Sequence, residues 1–212
     1  AREIIKSVIA ATNLPVSIKC RSEVNKINVL KFLDKINDLD IKAIMIHGRS
    51  MINGRAGEVN WKIIKKARDH FGGIILANGG VMTAEDAHNL IQKTEADGIG
   101  IARGALGKPW IFGAMVNDKL LMINGGHEKK SSVDKQILCE KNNYQPSNKE
   151  IFKTALRHSK LAYKLKGKTG IIEMRKHLCC YIHGIPNASE LREKLVKVES
   201  LKNIEEIFKI IH

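Results

Sequence analysis

No run of 18 apolar residues occurs in the 212-residue chain, so the sequence offers no membrane-spanning helix. The start carries no signal-peptide pattern. It opens on Ala1 rather than Met, as a processed or truncated chain would. Cysteine is scarce, with Cys20, Cys139, Cys179 and Cys180 the only four. None stands in a Cys-x-x-Cys pair and no second pair has zinc spacing, which argues against a thioredoxin-like motif and a zinc site. Reduced thiols in a cytoplasmic protein, half of them buried and none binding metal, are expected. Acidic residues are also short, 22 against 36 Lys and Arg, for a formal charge of +14. That excess points to a polyanionic partner, nucleic acid before a membrane surface.

What is present reads as two kinds of structure. The hydrophobic content of 43% is ordinary for a globular protein and supports a sizeable core. Four short apolar runs, PVSIKC (15–20), KAIMIH (42–47), GIILAN (73–78) and DGIGIA (97–102), predict strands buried on both faces of a parallel sheet. Helical stretches separate them. Residues 23–38 carry Val24, Ile27, Leu30 and Leu33 at near-helical spacing, and 59–71 carry Trp61, Ile64 and Ala67. Residues 83–95 open on Thr83, an N-cap with Asp86 three positions on in a capping-box arrangement. The opening REIIKSVIAA is helical too, so the order is α followed by four βα units. Four such units are half of a (β/α)8 barrel; a small open α/β sheet is the alternative.

After Asp118 the strand signal stops. The fold class expected is α/β: a partial (β/α)8 TIM barrel over 1–117, a linker over 118–146 and a small all-helical domain over 147–212. The helices expected in the last part are 147–167, 169–184, 187–198 and 203–211. Gly167 and Gly184 stand at C-cap positions and Asn187 at an N-cap. Lys153, Arg157, Lys160 and Lys164 follow one another at i, i+4, i+7 and i+11, a basic stripe about 17 Å long on one helix face. A solvated face is the plain reading of such a run. Without interleaved Glu for i,i+4 pairing, four like charges repel unless an anion faces them, which favours RNA or DNA backbone.

In a barrel the working residues stand at the C-terminal ends of the strands. Those ends read Lys19-Cys20-Arg21, His47-Gly48-Arg49, Asn78-Gly79-Gly80 and Ala102-Arg103-Gly104. Taken singly, the glycines could be ordinary βα turns and His47 a structural histidine. Together they put cations and bare backbone at one edge, where backbone N–H groups and the following helix N-termini can receive a phosphate.

The same segments, SIKCR, IMIHGR, GEVNW, ILANGG and GIARGALGKPWIF, with MRKHL in the basic helical part, resemble the tRNA-dihydrouridine synthases of the bacterial DusB type. The similarity covers essentially the whole chain and looks like the C-terminal two-thirds of a synthase. It implies an FMN-binding barrel, NADPH (or NADH) as reductant, and reduction of uridine to 5,6-dihydrouridine in tRNA. By the same resemblance Lys19 and His47 lie beside the flavin ring, and Asn78, Gly79, Gly80, Ala102 and Arg103 near the FMN phosphate. Ala102 stands where the family has glycine. Arg21 and Arg49 become candidates for the substrate uridine or its phosphates. Lys153, Arg157, Lys160, Lys164, Arg175 and Lys176 become tRNA contacts. No membrane is implied; the sequence leaves the oligomeric state open, and the resemblance implies a monomer. The family's proton-donor cysteine, in an Asn-x-Gly-Cys-Pro motif, has no match here, nor has its Pro-Met-Ala flavin loop. Cys20 should point away from Lys19, so no catalytic residue is expected within the 212 and the chain alone is expected to be inactive. A non-catalytic tRNA-binding remnant, and another FMN or phosphate barrel enzyme such as a dihydroorotate-type oxidase, are the alternatives.

Overall fold

A computed structural model describes residues 1–54, 56–116 and 145–209. Most of the expected linker, including Cys139, and the last two residues of the expected 203–211 helix fall outside the described residues. Those described form two compact units: Ala1–Gly104 with Met115 and Val116, and Ala105–Ala114 with the described residues from 145 onward. No described helix is long and apolar enough to cross a membrane.

The first unit is built on a four-stranded parallel sheet. Helix α1 (Arg2–Ala10) leads into β1 (Val16–Arg21), and β4 (Ile41–His47), β5 (Ile74–Asn78) and β6 (Gly98–Gly100) follow. Spatial order equals chain order, β1-β4-β5-β6. A doubly wound sheet would reverse at a switch point; this one does not. Ile44, Ile46, Ile75 and Ala77 are fully buried on one face of the sheet; helix α4 (Ala84–Thr94) packs against β5 and β6, and α3 (Trp61–Lys66) packs against α4. Asn60 caps α3, its side chain accepting from Ile63 N–H at 3.2 Å. Thr83 and Asp86 form the expected capping box on α4.

One expected helix is wrong. Over 23–38 the chain forms a small hairpin, β2 (Glu23–Val24) and β3 (Ile27–Asn28), before the five-residue α2 (Val29–Leu33). Asn25 and Lys26 both have positive φ, 49° and 62°, the two-residue turn that suits the twist of a hairpin. Asn28 then caps α2 by accepting from Lys31 N–H at 3.0 Å. Val24 and Ile27, which match helical spacing, are instead exposed partners across the hairpin.

After the sheet comes the short helix α5 (Ile111–Val116). In the second unit, α6 (Asn148–Tyr181) starts from a Ser147/Glu150 capping box and breaks at Gly167, whose φ is 57°. The two halves fold back on each other: a Cβ at Gly170 would lie 2.2 Å from Ala162 O, so only glycine fits. Helices α7 (Ala188–Leu195) and α8 (Leu201–Lys209) complete a core of Phe152, Ala155, Ile171, Met174, Leu178, Leu195, Ile204 and Phe208. Phe152 and Phe208 stack with ring centroids 4.8 Å apart. Asn187 sits at the N-cap as expected, but with φ 57° its side chain makes no capping bond.

Candidate functional site

Strand register turns four separated sequence motifs into one row. Arg21 pairs with His47, His47 with Asn78, and Asn78 with Gly100. Two residues earlier, Lys19, Met45, Leu76 and Gly98 form the row beneath, on the same face. This face is opposite the buried Ile44, Ile46, Ile75 and Ala77. Sequence reasoning missed Gly98 and Gly100, yet their alternation in Gly-Ile-Gly is the signal. A Cβ at Gly100 would lie 2.7 Å from Met45 Sδ and 3.2 Å from Asn78 Nδ2, and one at Gly98 would lie 2.9 Å from Leu76 Cδ2. β6 thus cedes its side of the row to its neighbours. Asn78, buried, donates from Nδ2 to Gly100 O at 2.5 Å and fastens β5 to β6.

Bare backbone lies beside the histidine. Gly79 and Gly80 have φ of 117° and 77°. A Cβ on Gly79 would come within 2.9 Å of His47 Cδ2 and 3.0 Å of Nε2, so a side chain there would push into the ring. Burial lowers the His47 pKa first, and the charges of Arg21, Lys19, Arg49 and Arg103 lower it further. Burial and the charges of four basic side chains thus all favour the neutral form of this imidazole.

The arginines differ in what they hold. Arg21 Nη1 donates to Ser50 O at 3.0 Å and Gly54 O at 2.8 Å, bracing the loop after β4. Arg49 Nε donates to Gly57 O at 2.7 Å, while its Nη1 is buried with no hydrogen-bond partner among the described residues. Its Nη2 stands 3.9 Å from where a Gly80 Cβ would be. A buried guanidinium nitrogen left unsatisfied is uncommon in native proteins and calls for a ligand or water. Arg103 and Lys19 are exposed, with no hydrogen bond or ion pair among the described residues. Ala102 is exposed beside Arg103.

Just before α4, Met82 N–H and Thr83 N–H both donate to Asp86 Oδ2, at 2.9 and 3.0 Å, so a carboxylate of the chain takes these two amides. Gly104 also has an internal reason to be glycine: a Cβ there would lie 2.4 Å from Val81 O and 2.9 Å from Met82 Cα. Cys20 behaves as expected. It lies in the Ile46 and Ala77 row, on the face opposite Lys19, and burial pushes its thiol up to about 11.

The sequence as a whole has relatives among known proteins. Residues 1–211 match the family described as dihydrouridine synthase (Dus). The chain belongs to that family. A probable tRNA-dihydrouridine synthase 1 of Synechocystis is 28% identical over 95% of this chain and 52% of its own length. tRNA-dihydrouridine synthase B of Pasteurella multocida is 28% identical over 96% of this chain and 60% of its own. A probable tRNA-dihydrouridine synthase of Rickettsia conorii is 26% identical over 91% and 54%. The chain thus spans about half the length of the curated relatives it matches.

In the second unit, Lys153, Arg157, Lys160 and Lys164 line one side of α6 and border Leu156 and Leu161. The stripe has an acid after all, from another helix: Lys160 Nζ lies 3.2 Å from Glu205 of α8. Lys176 is exposed. Arg175 is half-buried and donates from Nε to Val198 O at 2.9 Å, tying α6 to the α7–α8 turn.

Proposed function

We propose that the 212 residues are the later part of a tRNA-dihydrouridine synthase acting in the cytoplasm. Residues 1–117 would supply one half of an FMN-binding (β/α)8 barrel and 147–212 a tRNA-binding helical domain. The observation that carries this reading is His47 above Gly79, acted on by the charges of four basic side chains, with the orphaned Nη1 of Arg49 beside it. That combination fits an anionic cofactor: bare backbone for close approach, and fixed charges in a partly dry setting.

In this reading Arg103 faces the FMN phosphate together with the amides of Gly79 and Gly80, and Arg49, a substrate candidate by the resemblance, is reassigned to the same phosphate because its buried Nη1 lacks a partner. Ala102 still offers its N–H there despite its methyl group. Lys19 faces the ring, where a cation stabilises negative charge on the reduced cofactor. Neutral His47 orients the ring as a hydrogen-bond partner and does not add a fifth positive charge. Asn78 fixes the strand that carries the glycine turn. When bound, FMN supplies hydride chemistry for the uracil C5–C6 double bond, with NADPH as the source of electrons. The base must leave its stack to reach such a site. The proton for C5 has to come from a residue outside this chain's site, because Cys20 faces the other way and holds its proton tightly.

Among the described residues, β1 and β6 each pair with one neighbour in the sheet. The chain by itself is therefore expected to bind FMN weakly and to reduce no uridine. Fusing the N-terminal half of a related synthase should give yellow protein that forms dihydrouridine in tRNA when NADPH is added. A folded fusion that is colourless and inactive contradicts the proposal.

A further inference from the structure

Beyond the strand ends, the loop after β4 carries two adjacent aliphatic side chains that its surroundings leave unexplained. Ile52 is 81% exposed and Met51 60%. They are not on a slack segment. Gly54 N–H donates to Met51 O at 3.2 Å, closing a four-residue turn with Ile52 near its tip. Arg21 Nη1 grips both ends of that turn through Ser50 O and Gly54 O. Met51 N–H donates to Glu23 O at 2.8 Å, and Asn53 N–H donates to Ser50 Oγ at 3.2 Å. What sets this pair apart from the chain's other exposed apolar residues is that both side chains sit side by side on a braced turn, a form suited to packing against a partner surface. The turn stands on Arg21, a residue of the His47 row, so the partner that covers it is drawn by the same cations.

We propose that Met51 and Ile52 form an apolar wedge that packs between bases of a structured RNA and fills the gap left by an extruded pyrimidine. The inference rests on the RNA-substrate reading above. Charge supports the choice of occupant: Arg21 holds the turn itself, Arg49 donates to Gly57 O in the same loop, and Lys19 lies on the same sheet face one row beneath Arg21, which suits a polyanion with apolar bases and repels a basic peptide. Aliphatic side chains inserted at a base step unstack it and stabilise the distorted form. Arg21 is then a positioning residue, holding the wedge rather than the base.

The test uses the 212-residue chain and a tRNA transcript carrying 2-aminopurine beside a loop uridine, whose fluorescence rises on unstacking. The parent should raise it at least about twofold on binding. Met51→Ser plus Ile52→Ser should abolish most of that rise while leaving the salt dependence of binding intact, because no phosphate contact is removed. Met51→Leu plus Ile52→Leu should restore it. Both positions are exposed, so the variants retain the fold, checked by circular dichroism. A rise that survives the double serine change overturns the wedge and leaves the RNA reading standing. No binding of the transcript by the parent overturns both. Loss of binding with the serine variant toward a protein partner, but not toward RNA, assigns the patch elsewhere and likewise overturns the wedge.

Discussion

Replacing Gly104 with alanine separates two explanations of the Arg103-Gly104 turn. If the glycine serves a ligand, the free protein should tolerate a methyl group. If it serves the fold, the methyl meets Val81 O at 2.4 Å and Met82 Cα at 2.9 Å. An ordinary contact requires the two backbones to separate by roughly 1 Å. The Val81–Met82 segment resists this, since Met82 N–H is tied to Asp86 at 2.9 Å and Val81 is buried. Overpacking of this kind costs about 1–3 kcal/mol. Reduced freedom of the unfolded chain returns about 0.4–1 kcal/mol for Gly→Ala. The net loss lies between about 0 and 2.6 kcal/mol, and its middle value of about 1.3 kcal/mol lowers the urea midpoint by roughly 0.7 M for a slope near 2 kcal/mol/M. The chain has two tryptophans; a Trp110→Phe background leaves Trp61 of the sheet unit as the only one and reports that unit's unfolding. Gly72→Ala is the control, because a Cβ there meets nothing within 4 Å. A midpoint for Gly104→Ala no lower than that of Gly72→Ala refutes the reasoning.

Other outcomes follow from the same geometry. His47 has a lowered pKa in the folded state, so the unfolded chain takes up its proton first. The sheet unit should lose stability as pH falls below about 6.5 and level off below the folded pKa; His47→Asn should flatten that part of the urea-midpoint profile. Native Cys20, its thiol raised to about 11, should resist alkylation at pH 8 and react once the protein is unfolded in urea. On the helical unit, Lys164→Ala should reduce the slope of log K for tRNA against log salt by about 0.7–0.9, while Lys160→Ala should reduce it less, because Glu205 already shares that charge. Equal slopes for the two variants would remove the distinction.

The strands are legible in the sequence because each is an apolar run bounded by turn residues, and the Thr83-x-x-Asp86 cap is legible because it is local. The hairpin at 23–28 is not. Val24, Ile27, Leu30 and Leu33 satisfy a helical period, and only the positive φ at Asn25 and Lys26 breaks it. The strand-end residues can be read as a set, since their positions follow from βα order. What each one holds cannot. Arg21 spends a guanidinium nitrogen on the loop carbonyls of Ser50 and Gly54, and Asp86 takes the amides of Met82 and Thr83 just before α4. Glu205 lies far along the chain from Lys160 and shares neither motif nor period with it, so their pairing depends on the tertiary packing of α8 against α6.

The central claim is that the strand ends face the phosphate and ring of FMN, and flavin affinity tests it most directly. In a fusion that restores the missing strands, FMN dissociation constants should be measured by flavin fluorescence for the parent, Arg49→Ala and Arg103→Ala. Each arginine lost from a buried phosphate removes a charge-assisted hydrogen bond of about 1.5–3 kcal/mol, an affinity loss of roughly 10- to 150-fold. Such a loss in both variants, with the fold intact, is the predicted result. FMN affinity indifferent to both arginines would contradict the account and leave the Asn78-Gly79-Gly80 and Arg103-Gly104 ends as ordinary βα turns.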